Sequence, residues 1–148
     1  MGIIIRKAGK QDIPSLIVLM DYLLGLEGDF PNMPERQRKG FEMILDSESS
    51  EVFVAEKGEK IVGMCSLHKF ISTVQGSYAG VLEDVVVDED FAGMGIGGML
   101  ITHIEKYAKA QGITRLQLMV DQNNDSAIAL YKKYHWSQTK YIGFRKYL

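Results

Sequence analysis

The chain has 148 residues, of which 46% are hydrophobic and 24% are charged, proportions typical of one globular domain with its own core. Its formal net charge of −2 argues against sequence-independent binding to nucleic acid, which requires a clustered positive surface. The sequence has no apolar run of membrane-spanning length, no signal-peptide pattern and a single cysteine. These features predict a soluble, cytoplasmic protein without a disulfide or a metal site.

The chain begins with a predicted strand and a predicted amphipathic helix. Residues 3–6 are mostly β-branched, as expected of a strand, and Asp12 is placed to cap the helix that follows. Apolar residues at helical spacing then continue as far as Leu24. Gly25 and Gly28 are expected to interrupt this pattern and to end the helix.

The middle of the chain predicts a second helix followed by three antiparallel strands. Pro34 stands where a helix opens, and Phe41 falls on the buried side of that helix. The run Lys57-Gly58-Glu59-Lys60 has the composition of a hairpin turn. The three expected strands cover residues 51–56, 61–70 and 78–87.

The last third predicts a helix from about residue 95 to residue 110, with Leu100, Ile101, Ile104 and Ala108 as its inner stripe. Alternation from Leu116 to Val120 then predicts a strand. A short helix over residues 125–134 and a final strand over residues 141–147 are expected to follow. The order of elements predicts an α/β protein (α+β), in which a mixed sheet is flanked by helices.

A glycine-rich segment, Gly93-Met94-Gly95-Ile96-Gly97-Gly98, joins a buried strand to the third helix. Glycine lets a backbone approach a ligand closely, and the free N–H groups of a helix N-terminus attract phosphate. The simplest alternative is a tight turn that binds nothing. The segment also fits a dinucleotide fingerprint with Asp121 as its acid, but residues 88–92 separate strand from glycines and too little chain follows Asp121.

A second motif accompanies the glycines: Asn124-Asp125-Ser126-Ala127-Ile128-Ala129-Leu130-Tyr131. Together, the two motifs and the order of elements resemble the GCN5-related N-acetyltransferase (GNAT) family over nearly the whole chain. The resemblance implies one N-acetyltransferase domain over residues 1–148, with acetyl-CoA as co-substrate. Two positions depart from the family pattern: Ala92 replaces a basic residue or glutamine, and His135-Trp136 replaces Gly-Phe.

The resemblance implies a site for acetyl-CoA between two splayed strands, one ending at Val87 and the other at Val120. Backbone groups of Val85, Val86 and Val87 would pair with the pantetheine arm, and the N–H groups of Gly93 to Gly98 would hold the pyrophosphate. Asn124 is expected to contact the pantetheine arm, and it also stands where a residue caps the short helix.

Two residues are the candidate catalytic groups. Tyr131 is the candidate acid for the departing thiolate, since a phenol keeps its proton at neutral pH; its helical face also suits a plain core residue. Glu83 is the candidate base, acting directly or through water, with a solvated strand-edge carboxylate as the alternative. Strand alternation predicts that Glu83 and Asp84 face opposite sides of the sheet.

The acceptor is expected to be a cationic amine, because acidic residues cluster where this fold binds acceptors. Glu27 and Asp84 are the candidate substrate-binding residues, although acids in this region could equally serve only to solvate a surface loop. A non-catalytic sensor of acetyl-CoA on the same fold is the alternative function. His103 is expected to be exposed and Cys65 to lie in the core. Aromatic residues near the C-terminus are consistent with a homodimer interface or with packing inside one subunit.

Overall fold

The structure is a computed structural model that describes residues 2–148, and these group into two compact units that divide between Leu118 and Met119. Among residues 2–148, no helix is both long and apolar enough to cross a membrane. The first unit contains the sheet and three helices, and the second contains one helix followed by irregular backbone.

The first unit is built on a five-stranded mixed sheet in which the spatial order of the strands follows the chain, β1-β2-β3-β4-β5. The first four strands are antiparallel to their neighbours, and β5 runs parallel to β4. The predicted mixed sheet flanked by helices is therefore confirmed. The strands are β1 Ile3–Lys7, β2 Ser50–Lys57, β3 Lys60–Ser72, β4 Ser77–Val87 and β5 Ile113–Leu118, and the helices are α1 Ile13–Glu27, α2 Pro34–Leu45 and α3 Ile96–Ala110.

The helices of the first unit cover the two faces of this sheet. Buried residues of α1 and α2 form one core cluster with Val54 of β2, Met64 of β3 and Val86 of β4. On the opposite face, Phe53 makes edge-on ring contacts with His103 and Tyr107 of α3. Because successive strand residues point to opposite faces, the buried neighbours Phe53 and Val54 of β2 pack on opposite sides of the sheet. The predicted inner stripe of α3 is completely or almost completely buried.

The beginning of the chain differs from the sequence expectation at the first helix. Helix α1 continues through Gly25 and ends at Gly28, whose φ of 65° is the left-handed conformation that favours glycine. Asp12 stands at the N-cap position but makes no cap bond with its side chain. Instead, its carboxylate accepts the Gly9 N–H at 2.8 Å and is paired with Arg6 at 2.8 and 2.9 Å. Two strong donors hold this carboxylate away from the helix end.

Two further expectations concern single side chains. Cys65 is fully buried, as expected of a core residue, and this burial raises the pKa of its thiol. The expectation that His103 is solvent-exposed is wrong. His103 is half-buried, because its ring packs at 5.3 Å from the ring of Phe53.

The second unit contains helix α4, Asp125–Lys133, in close agreement with the predicted helix. The predicted final strand is wrong, since residues 141–147 have irregular backbone and their aromatic side chains are exposed. A strand requires a partner for its backbone hydrogen bonds, and residues 119–148 contain no other strand. Gly143 also weakens the tendency of this segment to extend.

Candidate active site

The sheet opens between β4 and β5. Their pairing ends at Leu82 and Leu118, although β4 continues through Val87. On its other edge β4 remains paired with β3, with Val86 opposite Met64. Within the first unit, no strand pairs with the β5-facing edge of residues 83–87. This open edge therefore offers backbone N–H and C=O groups to an extended ligand.

A β-bulge interrupts β4 where the open edge begins. Ser66 lies opposite Glu83, and Met64 lies opposite Val86. Asp84 and Val85 of β4 therefore face the single β3 residue that stands between Met64 and Ser66. Asp84 adopts a φ of 53°, a left-handed conformation in which aspartate is more common than most residues. The bulge breaks the strand alternation on which the sequence expectation relied.

The expectation that Glu83 and Asp84 face opposite sides of the sheet is therefore wrong. Ser66 lies directly opposite Glu83, and its hydroxyl donates to Asp84 Oδ2 at 3.1 Å. Residues directly opposite in an antiparallel pair share a face. Both carboxylates are thus on the side of Ser66, which is the face covered by α1 and α2.

The same face carries a histidine that lies between one hydrogen-bonding partner and one ion-pair partner. His68 Nδ1 lies 2.9 Å from the hydroxyl of Ser50, and His68 Nε2 lies 3.6 Å from Glu83 Oε2, an ion-pair distance. Side chains from β2, β3 and β4 therefore meet in one group, which we call the acidic cluster. It consists of Ser50, Ser66, His68, Glu83 and Asp84.

The two carboxylates of the acidic cluster have different electrostatic surroundings. His68 lowers the pKa of Glu83, and the Glu83 carboxylate in turn raises the pKa of His68 against the opposing effect of burial. Burial raises the pKa of Asp84, and the hydrogen bond from Ser66 offsets only part of that effect. A charged Asp84 is thus costly for this fold, whereas a charged Glu83 is stabilised by its neighbour.

The glycine loop, Gly93–Gly98, has the backbone geometry that its composition predicts. Gly93 and Gly95 have φ values of 76° and 78°, and a Cβ atom added at either would meet no atom of the described chain within 4 Å. Helix α3 begins at Ile96, and the Met99 N–H donates to the Gly95 carbonyl. The earlier N–H groups of this helix have no acceptor within it, so the loop presents unpaired donors beside open space.

Two lysines lie close to Phe91, which stands two residues before the glycine loop. The Nζ atoms of Lys57 and Lys60 lie 5.3 and 4.9 Å from the centre of the Phe91 ring. Lys60 also pairs with Asp88 at 2.8 Å. Ala92, which replaces the expected basic residue or glutamine, follows Phe91 and is exposed. The β2–β3 hairpin thus brings two lysines close to the segment before the glycine loop, which the sequence did not indicate.

Helix α4 carries the second motif. The Asn124 side chain accepts the Ala127 N–H at 3.1 Å, so the predicted cap is confirmed, whereas its contact with a cofactor stays a prediction. Tyr131 is buried, its ring centre lies 5.9 Å from that of Trp136, and its carbonyl accepts the Trp136 N–H. This packing is compatible with a core residue and with an acid, so the catalytic role of Tyr131 also stays a prediction.

The acidic residues expected to meet the acceptor lie partly on the loop after α1. Glu27 is the last residue of α1 and is exposed, as are residues 28–33 of the loop. Within this region, the side-chain amide of Asn32 donates to Asp21. The other candidate, Asp84, is half-buried in the bulge. The first candidate therefore lies on the surface and the second within the sheet.

Sequence reasoning missed the roles of Ser50, Ser66 and His68 in this cluster. Ser66 and His68 are two residues apart on one strand, which is a signal that they share a face. Their partners depend on strand register, and a second irregularity between Ala55 and Glu56 shifts the β2–β3 pairing so that Ser50 lies opposite His68. Nothing in the sequence marked that shift.

Comparison with known proteins identifies the class of protein that this fold and site define. The sequence model of the Acetyltransferase (GNAT) family matches residues 20–136. The chain therefore belongs to this family of N-acetyltransferases, which confirms the resemblance drawn from the two motifs. The family uses acetyl-CoA. The fold is shared with a predicted acetyltransferase from Clostridium acetobutylicum, solved with acetyl-CoA, which is 19% identical and has a TM-score of 0.81 over 97% of this chain and 96% of its own.

Individual relatives agree with this class. An uncharacterized N-acetyltransferase of Methanocaldococcus jannaschii is 26% identical over 93% of this chain and 62% of its own length. A thialysine N-epsilon-acetyltransferase of Caenorhabditis elegans is 33% identical over 68% of this chain and 59% of its own. The chain thus spans about three fifths of the length of these two relatives. A structure described as a transcriptional regulator from Bacillus halodurans has a TM-score of 0.86 at 26% identity, covering 99% of this chain and 100% of its own.

Proposed function

We propose that this protein transfers the acetyl group of acetyl-CoA directly to a primary amine, carried by a small polyamine or diamino-type molecule or by a protein. One observation carries the proposal: along β4, the open edge begins at the two carboxylates of the acidic cluster and ends shortly before the glycine loop. A thioester laid along this edge would have its phosphates toward the loop and its acetyl group toward the carboxylates.

The cofactor side of this proposal depends on backbone groups. The N–H groups at the start of α3 would bind the pyrophosphate, and residues 85–87 would pair with the pantetheine arm as an added strand. A backbone N–H near Val86 or Val87 would polarise the acetyl carbonyl and stabilise the oxyanion. Asn124 would contact the pantetheine arm in addition to capping α4.

The acceptor side depends on charge. Glu83 and Asp84 place two carboxylates together with one histidine, which favours a cationic amine over an anionic or neutral acceptor. Glu27 would add a further carboxylate from the exposed end of α1. The name of the C. elegans relative and a structural neighbour solved with sisomicin, an aminoglycoside acetyltransferase of TM-score 0.81 at 21% identity, both point to amine acceptors.

The chemistry requires three groups. The ammonium must lose a proton to a base before its nitrogen attacks the thioester, and Glu83 is our assignment for that base. The backbone N–H near Val86 or Val87, the third group, holds the tetrahedral oxyanion. Glu83, having passed its first proton to solvent, takes the second proton from nitrogen, and the intermediate collapses to the amide and expels the thiolate of CoA. Tyr131 is our assignment for the acid that protonates this thiolate.

The test is release of free thiol from acetyl-CoA in the presence of single amines. We would offer a polyamine, thialysine, lysine, sisomicin and a peptide with a free N-terminal amine, and measure acetyl-CoA binding by calorimetry on the same sample. We expect thiol release with a cationic acceptor of one class. Absence of acetyl-CoA binding would contradict the proposal.

A second candidate function is a non-catalytic sensor of acetyl-CoA. It is favoured by the B. halodurans neighbour described as a transcriptional regulator, which matches this chain from end to end, and by Ala92 in place of a basic residue or glutamine. In the same experiment, a sensor would bind acetyl-CoA and release no thiol with any amine. A homodimer and a cytoplasmic location also remain proposals, and light scattering of the purified protein would test the first.

A further inference from the structure

The acidic cluster contains a residue that the proposed reaction has not yet used. His68 lies on β3 with one ring nitrogen near Ser50 and the other facing Glu83. If its Nδ1–H donates to the Ser50 hydroxyl, the neutral ring presents the lone pair of Nε2 to the carboxylate. The Ser50 hydroxyl can also donate to Nδ1, so both tautomers fit this contact, and the one with its hydrogen on Nδ1 can accept a proton from Glu83.

We propose that His68 is a positioning residue for acetyl transfer, which holds Glu83 toward the acceptor amine and takes from it the proton that the amine releases. This inference rests on the proposed function, in which Glu83 is the base, and it adds His68 as the group that receives the proton from Glu83. The N–H bond of the ammonium breaks, its electron pair stays on nitrogen, and the proton bonds to the Glu83 carboxylate. The proton then passes to His68 Nε2, which leaves an imidazolium paired with a carboxylate, and it departs from His68 to solvent.

The chemistry explains why a carboxylate alone is a poor base in this position. An alkyl ammonium has a pKa near that of lysine, about 10.4, far above that of an ordinary glutamate, about 4.3. His68 lowers the pKa of Glu83 further, while Glu83 raises the pKa of His68. A proton that reaches the carboxylate is therefore more stable on the imidazole, whose pKa is closer to neutral pH.

The surroundings of His68 are consistent with this role. The charged groups that act on it are the carboxylates of Glu83 and Asp84 on β4, and β2 contributes the neutral hydroxyl of Ser50. Helix α1, which packs on the same face, buries apolar residues there, and its carboxylates Asp21 and Glu27 are exposed. The His68 side chain is about one third exposed and that of Glu83 more than half exposed, so substrate and solvent can reach the pair.

The first arm of the test is the pH dependence of kcat and kcat/KM with the best amine from the thiol-release assay. We expect His68→Gln to lower kcat by about a hundredfold and to leave acetyl-CoA affinity unchanged. The acid limb of its profile should move to lower pH, because Glu83 alone then sets it. His103→Gln is the matched control, a half-buried histidine on the opposite face, and we expect it to keep the wild-type profile. An unchanged profile and kcat in His68→Gln would overturn the proposal.

The second arm measures the effect of Glu83 on the pKa of His68 in the absence of turnover. An NMR titration of the His68 ring should give a higher pKa in the wild type than in Glu83→Gln, because the variant removes the carboxylate that stabilises the imidazolium. Equal pKa values in the two proteins would refute the coupling. Absence of thiol release with every amine would instead count against the proposed function, so failure of the two proposals can be told apart.

Discussion

The glycine loop and the acidic cluster are built in different ways. The loop offers backbone N–H groups next to glycines, which leave open space for a ligand, and all of these groups belong to one continuous segment of the chain. The cluster offers side chains from three strands, brought together by strand register and by two irregularities in pairing. A site for a large, invariant cofactor can be made from backbone, whereas acid–base chemistry requires ionisable side chains in each other's fields.

The largest expected effect comes from breaking the backbone part of the site. A valine at Gly95 must adopt a φ of 78°, which a β-branched residue resists, and its side chain would occupy the open space of the loop. The lost N–H contacts with phosphate should cost about 3 kcal/mol of binding free energy, so Gly95→Val should weaken acetyl-CoA binding by about a hundredfold. Calorimetry with acetyl-CoA measures this effect.

The control for this prediction is Gly76→Val in the turn between β3 and β4. Gly76 has a φ of 63° and equally open surroundings, so the backbone strain is similar but lies away from the loop. Gly76→Val should bind acetyl-CoA as the wild type does. Equal losses in the two variants would mean that strain, and not the loop, explains the effect.

The next effect separates catalysis from cofactor binding, because we expect it in kcat and not in acetyl-CoA affinity. Tyr131→Phe removes one hydroxyl and keeps the ring that packs against Trp136. We expect kcat to fall by about tenfold to a hundredfold with acetyl-CoA affinity unchanged. Tyr134→Phe, at the residue that caps the C-terminal end of α4, should retain full activity. Steady-state kinetics checks both variants, and a Tyr131→Phe enzyme with wild-type kcat would exclude this residue from the mechanism.

The contrast between loop and cluster also explains which features could be predicted from sequence. Gly93–Gly98 and the helix after it form a local pattern, so the start of α3 was predicted within one residue. The orientation of Glu83 and Asp84 depends on a bulge in the pairing of β4 with β3, which no local sequence pattern marks, and the predicted orientation was wrong. His68 was overlooked for the same reason, since its partners on β2 and β4 follow from register.

Two carboxylates, one buried and one half-buried, extend the comparison to stability, and the buried Asp12 is the first. Arg6 and the Gly9 N–H lower its pKa, so its contribution is full above the ordinary aspartate pKa and disappears as pH falls through the folded-state pKa. Asp12→Asn leaves Arg6 without its bidentate partner and should lower the free energy of unfolding by about 2 kcal/mol at neutral pH. Urea denaturation at neutral and acid pH should show this loss shrinking in acid, and a loss independent of pH would contradict the ion-pair explanation.

The smallest effect is expected at Asp84, and its sign is opposite. Burial raises the pKa of Asp84, and the hydrogen bond from the neutral Ser66 hydroxyl offsets only part of that effect. The ionised carboxylate therefore opposes folding at neutral pH, and this penalty disappears once the group is protonated in acid. Asparagine also tolerates the left-handed φ of the bulge, and Asp84→Asn should therefore raise the free energy of unfolding by on the order of 1 kcal/mol at neutral pH. The same variant should lower kcat/KM for a cationic acceptor. The same change from aspartate to asparagine would thus destabilise the protein at Asp12, where Arg6 neutralises the carboxylate, and stabilise it at Asp84, where we propose that the charge serves the acceptor. If Asp12→Asn and Asp84→Asn destabilised the protein equally, Asp84 would have a structural role. Of the two carboxylates of the acidic cluster, only Glu83 would then remain assigned to the acceptor.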